Sequence, residues 1–242
     1  GYKQTAVVID AEGDEWVDTV DRSTELAKEI TMSRDQIIER CQQCGLVGMG
    51  GATFPTHIKL TVPAGKKCDM LIINGVECEP YLTSDHRLML EKGAEVLTGA
   101  AVIMKALGVE KAVIGIEANK PDAISHLTEL SKDYTGISVQ PLKVKYPQGG
   151  EKQLIKACTG REVPSGGLPV DVGVVVQNVG TAFAVYEAVQ KNKPLIERVV
   201  TVTGKSVKNP GNFQVRIGTP VTALIEAAGG MPDDTGKIVN GG

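Results

Sequence analysis

The sequence predicts an α/β protein with a Rossmann-like, largely parallel sheet, followed by a small α+β unit. Between residues 69 and 191, short apolar runs alternate with segments of helical periodicity. Strands alternating with helices in this way are typical of βαβ units. After Pro194 the pattern changes to two short strands and one short helix. Hydrophobic residues make up 42% of the 242 residues and charged residues 23%, which suits a globular protein with an apolar core.

The N-terminal part contains one β-like run at residues 5–9, followed by acidic loop residues. The first helix is predicted to begin at Ser33, because Ser33 and Gln36 have the spacing of a capping box and apolar residues follow on one face. Gly45 is expected to end this helix, since glycine readily adopts the left-handed conformation found there.

The alternating part then supplies the elements of the predicted sheet. Strands are predicted at residues 70–73, 111–117, 137–144 and 174–177, and helices at 94–107, 151–158 and 181–191, with a further helix after Asn119. Asn119 is predicted to cap the helix that carries Pro121 in its first turn, where proline is tolerated. In the C-terminal unit, strands at 199–203 and 213–217 flank the turn 208–212, and a helix covers 221–228.

We therefore expect three regions. They are a linker and tail of a preceding domain at residues 1–25, an α/β domain at 26–193 and the α+β unit at 194–242. The chain starts at Gly1 rather than at a methionine, so we expect a processed or truncated protein. The net charge of −3 gives no indication of nucleic-acid binding. The apolar runs are too short for a direct membrane span, and five scattered cysteines favour a reducing compartment.

The first motif that could carry chemistry is glycine-rich. Gly48, Gly50 and Gly51 lie upstream of Lys59. Glycines let a backbone approach a flat or phosphorylated ligand, and consecutive amides can bind an anion. Lys59 would add a positive charge for a phosphate or a flavin ring. The motif is not a Walker loop or a good dinucleotide fingerprint, and taken alone it is also compatible with an ordinary glycine-rich turn.

The second motif follows the strand at 70–73 directly. It contains Asn74, Glu77 and Glu79. Open α/β sheets bind their ligands at the carboxyl ends of strands, and an amide with two carboxylates could bind hydroxyl or ring N–H groups there. A solvated acidic turn is the alternative for this segment considered by itself.

Two further motifs also connect a strand to a helix. One contains Gly149, Gly150 and Glu151, and the other runs from Gln177 to Thr181. Free amides and the positive end of a helix dipole near Thr181 would favour a phosphate. Each motif alone could be a capping turn. Three such motifs at successive strand ends, together with a glycine-rich loop, indicate a ligand site.

The cysteine and histidine residues point to structure more than to chemistry. Cys41 and Cys44 form a CxxC pair, which supplies at most two of the four ligands that zinc or an iron–sulfur cluster takes. We expect both to pack under the end of the first helix. The three histidines are isolated and are predicted to have structural roles.

The four motifs in this order resemble the FMN-binding subunit of respiratory complex I and, more closely, the C subunit of the Rnf electron-transport complex. Residues 77–81 (Glu-Cys-Glu-Pro-Tyr) and 146–151 (Tyr-Pro-Gln-Gly-Gly-Glu) favour the Rnf family. The resemblance covers residues 30–242. It implies that the C-terminal unit is a β-grasp, soluble-ligand-binding (SLBB) module.

The resemblance also implies a set of site residues. The FMN site would comprise Gly48, Gly50, Gly51, Lys59, Asn74, Glu77, Glu79, Gly149, Gly150, Glu151, Val176, Gln177, Asn178 and Thr181, with Phe54 and Glu79 facing NADH. The sequence departs from the complex I pattern at Met49, Val76 and Gly150, and the loop at 165–169 contains Leu168 but no phenylalanine. These departures affect the NADH half more than the flavin half.

The implied activity is electron transfer between NAD(H) and ferredoxin through FMN and 4Fe-4S clusters, with the clusters outside this chain. The expected partners are the other subunits of the membrane Rnf complex and ferredoxin or an iron–sulfur subunit, at the cytoplasmic face of the inner (plasma) membrane. This chain alone is expected to be inactive in electron relay. Two alternatives are a cobalamin reductase of the propanediol-utilisation type and an FMN-free docking module.

Overall fold

A computed structural model describes residues 12–241 of the chain. Over these residues the strands are β1 Met70–Asn74, β2 Ala112–Glu117, β3 Ile137–Leu142, β4 Val174–Asn178, β5 Glu197–Val202 and β6 Gly211–Arg216. The α-helices are α1 Arg34–Gln43, α2 Thr56–Leu60, α3 Ser84–Glu91, α4 Gly93–Leu107, α5 Pro121–Ser131, α6 Glu151–Thr159, α7 Val179–Lys191 and α8 Val221–Ala227. A 3-10 helix covers Pro169–Val172. The β-like run predicted at 5–9 lies outside the described residues.

The larger sheet has four strands in the order β3-β2-β1-β4, and every neighbouring pair is parallel. This arrangement confirms the predicted fold class. The strands β1 and β4 pair in a register that places Asn74 opposite Asn178. Because parallel strands end at the same edge of a sheet, the turns that follow them meet there.

Apolar side chains cover both faces of this sheet, as a parallel sheet requires. Leu71 and Ile73 belong to the larger core, which includes side chains of α1, α4 and α7, whereas Ile72 faces the smaller core beside α6. Helices α4 and α7 cross very closely, since a Cβ atom at Gly99 would lie 1.9 Å from the carbonyl oxygen of Ala182. A glycine is therefore required at this crossing.

The predicted capping box of α1 is confirmed. Ser33 Oγ accepts a hydrogen bond from the Gln36 amide, and Gln36 Oε1 accepts one from the Ser33 amide. The prediction that Asn119 caps α5 is wrong. Lys120 is the N-cap residue, and no side chain caps this helix, because Pro121 at the first helical position already removes one amide that would need a partner.

Helices α2 and α3 and the 3-10 helix were not predicted. The first has only five residues and lies in a stretch rich in glycine and proline. Thr83, the N-cap residue of α3, makes no capping side-chain hydrogen bond. Short helices without a local cap lack the start signal on which sequence analysis depends.

The C-terminal unit contains the antiparallel pair β5–β6 and helix α8. The segment before α1 packs against this unit. The Trp16 ring lies beneath the guanidinium of Arg216 at 4.5 Å from the ring centroid, and Asp14 pairs with Arg216 at 2.7 Å. Asp21 forms a 2.7 Å ion pair with Lys191 at the end of α7. Two salt bridges and an aromatic contact thus fix residues 14–21 beside the junction of the two units.

Candidate functional site

The glycine-rich loop lies beside the carboxyl end of the sheet. Its base is closed by a 2.8 Å hydrogen bond from the Gly48 amide to the Phe54 carbonyl. The Met49 amide donates to Thr181 Oγ1 at 2.9 Å, which attaches the loop to the first turn of α7. A Cβ atom at Gly50 would meet the Cβ atom of Asn178 at 3.5 Å. The loop backbone is therefore packed directly against the end of β4.

Two residues of the loop have a positive backbone φ angle. Gly51, exposed near the tip of the loop, has a φ of 112°, and the β-branched Thr53 has a φ of 50°. A β-branched residue seldom adopts a positive φ. Such conformations concentrate at ligand-binding segments.

Lys59 joins three of the predicted motifs. It lies in α2, and its Nζ is 2.8 Å from Glu151 Oε1 and 2.7 Å from the Val176 carbonyl oxygen. Glu151 is the first residue of α6 and Val176 belongs to β4. The ammonium group therefore lies between turns that are distant in sequence.

Asn74 connects the second motif to the third. Its Nδ2 donates to the Gly149 carbonyl at 2.9 Å, and its Oδ1 accepts from the Val76 amide at 3.2 Å. The Gly149 amide donates to Cys78 Sγ at 3.3 Å. Val76 is fully buried in the smaller core. A Cβ atom at Gly150 would lie 2.6 Å from Gln153 Oε1.

Glu77 caps helix α3 from a distance in sequence. Its Oε1 accepts from the Asp85 amide at 2.8 Å and from Ser84 Oγ at 3.2 Å, and its Oε2 accepts from the His86 amide at 3.0 Å. Glu77 has a φ of 46°. The buried Lys120 holds the same turn, since its Nζ donates to the Val76 carbonyl at 2.8 Å. The carboxylate that sequence analysis assigned to FMN is thus already hydrogen-bonded to a helix N-terminus.

Asn178 links α7 to α3. Its Oδ1 accepts from the Gly180 amide at 2.8 Å and caps α7, while its Nδ2 donates to Asp85 Oδ2 at 2.7 Å. Burial raises the pKa of Asp85 from 3.8 to about 6, and the neighbouring negative charge of Glu77 acts in the same direction, against the hydrogen bond from Asn178. Asp85 lies outside the four sequence motifs, so it was not predicted as a site residue.

Two buried polar atoms near this edge have no hydrogen-bond partner among the described residues. They are Gln177 Nε2 and Thr56 Oγ1, on side chains that are 2% and 0% exposed. Buried polar groups are nearly always paired, so an orphan donor at a strand end is consistent with a polar atom of a ligand or a water. Donors of this kind, close-packed glycines and the Lys59 ammonium suit the carbonyl, hydroxyl and phosphate oxygens of FMN.

Two exposed aromatic side chains belong to the predicted motifs or lie beside them. Phe54 is 46% exposed and Tyr146 65%, and the loop at 165–169 exposes Leu168 at 61%. The negative charge of Glu79 raises the pKa of Tyr146. Of the two predicted NADH-facing residues, Phe54 is exposed and Glu79 is half-buried.

The CxxC pair packs in the core, as predicted. Cys41 and Cys44 are both buried, and burial raises the pKa of the Cys41 thiol to about 12, so the thiolate that metals bind is disfavoured. Within residues 12–241, no cluster of three or more His, Cys, Asp or Glu side chains has an arrangement that could hold a metal ion. Among the same residues, no helix combines the length and apolarity of a membrane span.

A parallel sheet whose strand ends meet a glycine-rich loop, a lysine and a helix N-terminus defines a nucleotide- or flavin-binding α/β protein. Residues 41–187 match the family model of the Nuo51 FMN-binding domain, and residues 199–242 match that of the SLBB domain. The chain belongs to the Nuo51 FMN-binding domain family.

The relatives confirm the predicted resemblance. The C subunit of the proton-translocating ferredoxin:NAD(+) oxidoreductase complex of Clostridium ljungdahlii is 50% identical over 99% of this chain and 52% of its own length. The C subunit of the Na(+)-translocating complex of Acetobacterium woodii is 46% identical over 100% of this chain and 54% of its own length. The chain thus spans about half the length of these curated relatives.

Solved structures support the fold. An NAD+-reducing [NiFe]-hydrogenase in its air-oxidized state has a chain that matches 85% of this one with a TM-score of 0.73 and 23% sequence identity, over 41% of that chain. At this identity the similarity concerns the architecture.

Proposed function

We propose that this chain forms the FMN-binding part of a C subunit in an ion-translocating ferredoxin:NAD(+) oxidoreductase complex, which passes electrons between NAD(H) and ferredoxin. The observation that carries the proposal is the position of Lys59, whose ammonium group joins α2, α6 and β4 at the carboxyl edge of the sheet. The names of the relatives and the Nuo51 FMN-binding domain match support the same function.

Residues of all four motifs would bind the flavin. The proposed FMN residues are Gly48, Gly50, Gly51, Lys59, Asn74, Glu77, Glu79, Gly149, Gly150, Glu151, Val176, Gln177, Asn178 and Thr181. When bound, FMN supplies a redox centre that exchanges electron pairs with a nicotinamide and single electrons with iron–sulfur clusters.

Each group of residues has a physical role in this proposal. Gly48 and Gly50 allow close backbone approach, and the amides at the start of α7 with Lys59 offer positive charge to an anion. Gln177 supplies a buried donor that has no protein partner among the described residues. Glu77 acts indirectly, because its carboxylate caps α3 and thereby fixes the turn that contains Asn74.

We propose NAD(H) as the second ligand, at the exposed rim near Phe54 and Glu79. The departures at Met49, Val76 and Leu168 leave fewer aromatic and charged contacts for it than the complex I pattern has. The 4Fe-4S clusters would belong to the part of the protein outside this chain. The proposed partners are the other subunits of a membrane complex and ferredoxin or an iron–sulfur subunit, at the cytoplasmic face of the inner membrane.

A flavin titration tests the proposal. The purified 242-residue chain, stripped of flavin, is titrated with FMN and, in parallel, with riboflavin, and flavin fluorescence is followed. Saturable quenching by FMN, weaker for riboflavin because it lacks the phosphate, supports the proposal. Absence of binding by either flavin refutes it and leaves the FMN-free docking module.

A second experiment separates the oxidoreductase from the cobalamin reductase alternative. The full-length protein loaded with FMN is mixed anaerobically with NADH, and the flavin absorbance is recorded before and after addition of ferredoxin or of an oxidised cobalamin. If ferredoxin reoxidises the flavin and the cobalamin does not, the proposed function is supported. If the cobalamin reoxidises the flavin and ferredoxin does not, the alternative is supported.

A further inference from the structure

An arginine of the C-terminal unit reaches across to the glycine-rich loop. Arg198 lies on β5, and its Nη2 donates to the Met49 carbonyl at 2.7 Å. The Met49 amide donates to Thr181 Oγ1 at 2.9 Å. The peptide units on both sides of Met49 are thus held by side chains, one from each unit of the protein.

These two bonds are the side-chain anchors of the loop. Across residues 12–241, no side chain other than those of Thr181 and Arg198 forms a hydrogen bond with the backbone of residues 48–53. The loop consists largely of glycine, which loses more conformational freedom on ordering than any other residue. A loop of this composition needs external anchors to keep one conformation.

Arg198 is exposed and lies beside acidic and amide side chains. It lines a cavity of about 580 Å³ between the C-terminal unit and helices α3 and α7. Asp85 and Asn178 line the same cavity and are hydrogen-bonded to each other at 2.7 Å. The positive charge of Arg198 lowers the pKa of Asp85 and so favours its ionised form, as does that of Lys120, while burial and Glu77 oppose it.

The two units are also joined beside this cavity. Thr83, just before α3, donates its amide to Thr201 Oγ1 at 3.2 Å, and Asn212 Nδ2 donates to Thr83 Oγ1 at 3.0 Å. These contacts place β5 at a defined distance from α3. The strand that carries Arg198, β5, is therefore itself held in place beside the loop.

We infer that Arg198 is a positioning residue through which the C-terminal unit holds the glycine-rich loop in its flavin-binding conformation. The inference rests on the proposed function. It gives the SLBB-type unit a role in cofactor affinity, exerted through the Met49 carbonyl and not through contact with the flavin.

The test compares FMN affinity in Arg198→Met, Arg198→Lys and the control Arg87→Met. Arg87 lines the same cavity but pairs with Glu91 on its own helix. We expect Arg198→Met to weaken FMN binding about tenfold, since a hydrogen bond from a charged donor is among the stronger kinds. Arg198→Lys retains a donor and should stay within about twofold of the wild type, as should Arg87→Met.

The outcomes separate the two proposals. If the unmodified chain binds no FMN, the proposed function fails, and this conclusion does not depend on the Arg198 variants. If the unmodified chain binds FMN and Arg198→Met binds it equally well, the positioning role is refuted. Equal losses in Arg198→Met and Arg198→Lys, or in Arg198→Met and Arg87→Met, also refute it. Circular dichroism and thermal melting of each apo-variant establish that the variants are folded, and rescue by lysine remains informative if the methionine variant unfolds.

Discussion

The Nζ of Lys59 lies 2.8 Å from Glu151 Oε1, which brings a helix of the glycine-rich segment against the first turn of α6. The two residues are 92 positions apart in the sequence. The ends of separate βαβ units therefore lie beside one ammonium group. A partly exposed pair of this kind contributes little to stability, and in the proposed function this ammonium group faces the flavin.

The first prediction concerns this lysine. Lys59→Met should weaken FMN binding about tenfold or more, because it removes a charge and a donor from the edge of the sheet. Lys152→Met is the matched control, since Lys152 is a surface lysine whose Nζ donates to the Pro164 carbonyl. Fluorescence titration with FMN measures both. Equal affinity in Lys59→Met and the control would contradict the site assignment.

The second prediction concerns the hydroxyl of Thr181. Thr181→Ala leaves the Met49 amide without its 2.9 Å partner and should lower FMN affinity about fivefold, the value of an ordinary hydrogen bond. Thr181→Ser keeps the hydroxyl and should preserve affinity while losing some stability with its buried methyl group. If the serine variant binds FMN as poorly as the alanine variant, the hydroxyl is not the anchor.

The third prediction separates folding from binding at Gln177. Its Nε2 is buried and unpaired within the described residues, so Gln177→Met should stabilise the flavin-free protein by about 1 kcal/mol. The same change should weaken FMN binding, because the donor is lost. Urea unfolding and FMN titration give the two values. A variant that is less stable without FMN and binds it normally would show that the amide has a structural role instead.

The fourth prediction concerns pH. The folded-state pKa of Asp85 is raised from 3.8 to about 6, so this carboxyl group favours folding below pH 4 and loses that contribution as the pH rises through 6. Asp85→Asn stays neutral and can still accept from Asn178. It should therefore raise stability by about 1–2 kcal/mol at pH 7.5, less than the full pKa difference allows because an amide reproduces a protonated carboxyl group only in part.

The control for Asp85→Asn is the stability of the variant relative to the wild type at low pH. Near pH 4 the wild-type carboxyl group is protonated in the folded state, and the variant and the wild type should have similar stability. Thermal melts across this range measure the difference. A stability difference that is constant with pH would mean that Asp85 does not titrate with a raised pKa.

The fifth prediction concerns the crossing of α4 and α7. Gly99→Ala would place a Cβ atom 1.9 Å from the Ala182 carbonyl oxygen, and we expect a loss of about 2–4 kcal/mol as the helices are forced apart. Gly236→Ala is the control, because nothing lies within 4 Å of a Cβ atom there. Urea unfolding measures both variants, and a loss below about 1 kcal/mol in Gly99→Ala would contradict the close crossing.

The strands and most helices could be predicted from the sequence because their signals are local. Apolar runs such as that of β1 are bounded by turn residues, and the Ser33–Gln36 capping box lies within one helical turn. Helix α3 was missed because its cap is Glu77, which reaches it from seven positions before the helix begins. No local pattern can report a cap of that kind.

The candidate site was predicted from its motifs and not from its contacts. Lys59 and Glu151 belong to separate sequence motifs, and only folding brings their side chains together. The use of Glu77 as a helix cap and the links through Asp85 and Arg198 depend on tertiary structure, since the partners of these side chains lie 7, 93 and 149 positions away in the sequence. The extent of the domains and the roles of the individual site residues stay predictions.

Hydrogen–deuterium exchange of the purified chain with and without FMN tests the central claim most directly, because it locates the flavin. We predict that FMN slows exchange in the glycine-rich loop at 48–54 and in the turns at 74–79, 146–151 and 176–181. Exchange in α5, Pro121–Ser131, which belongs to none of the four motifs, should be unchanged. Protection confined to other segments, or no protection at saturating FMN, would contradict the assignment of this edge of the sheet as the flavin site.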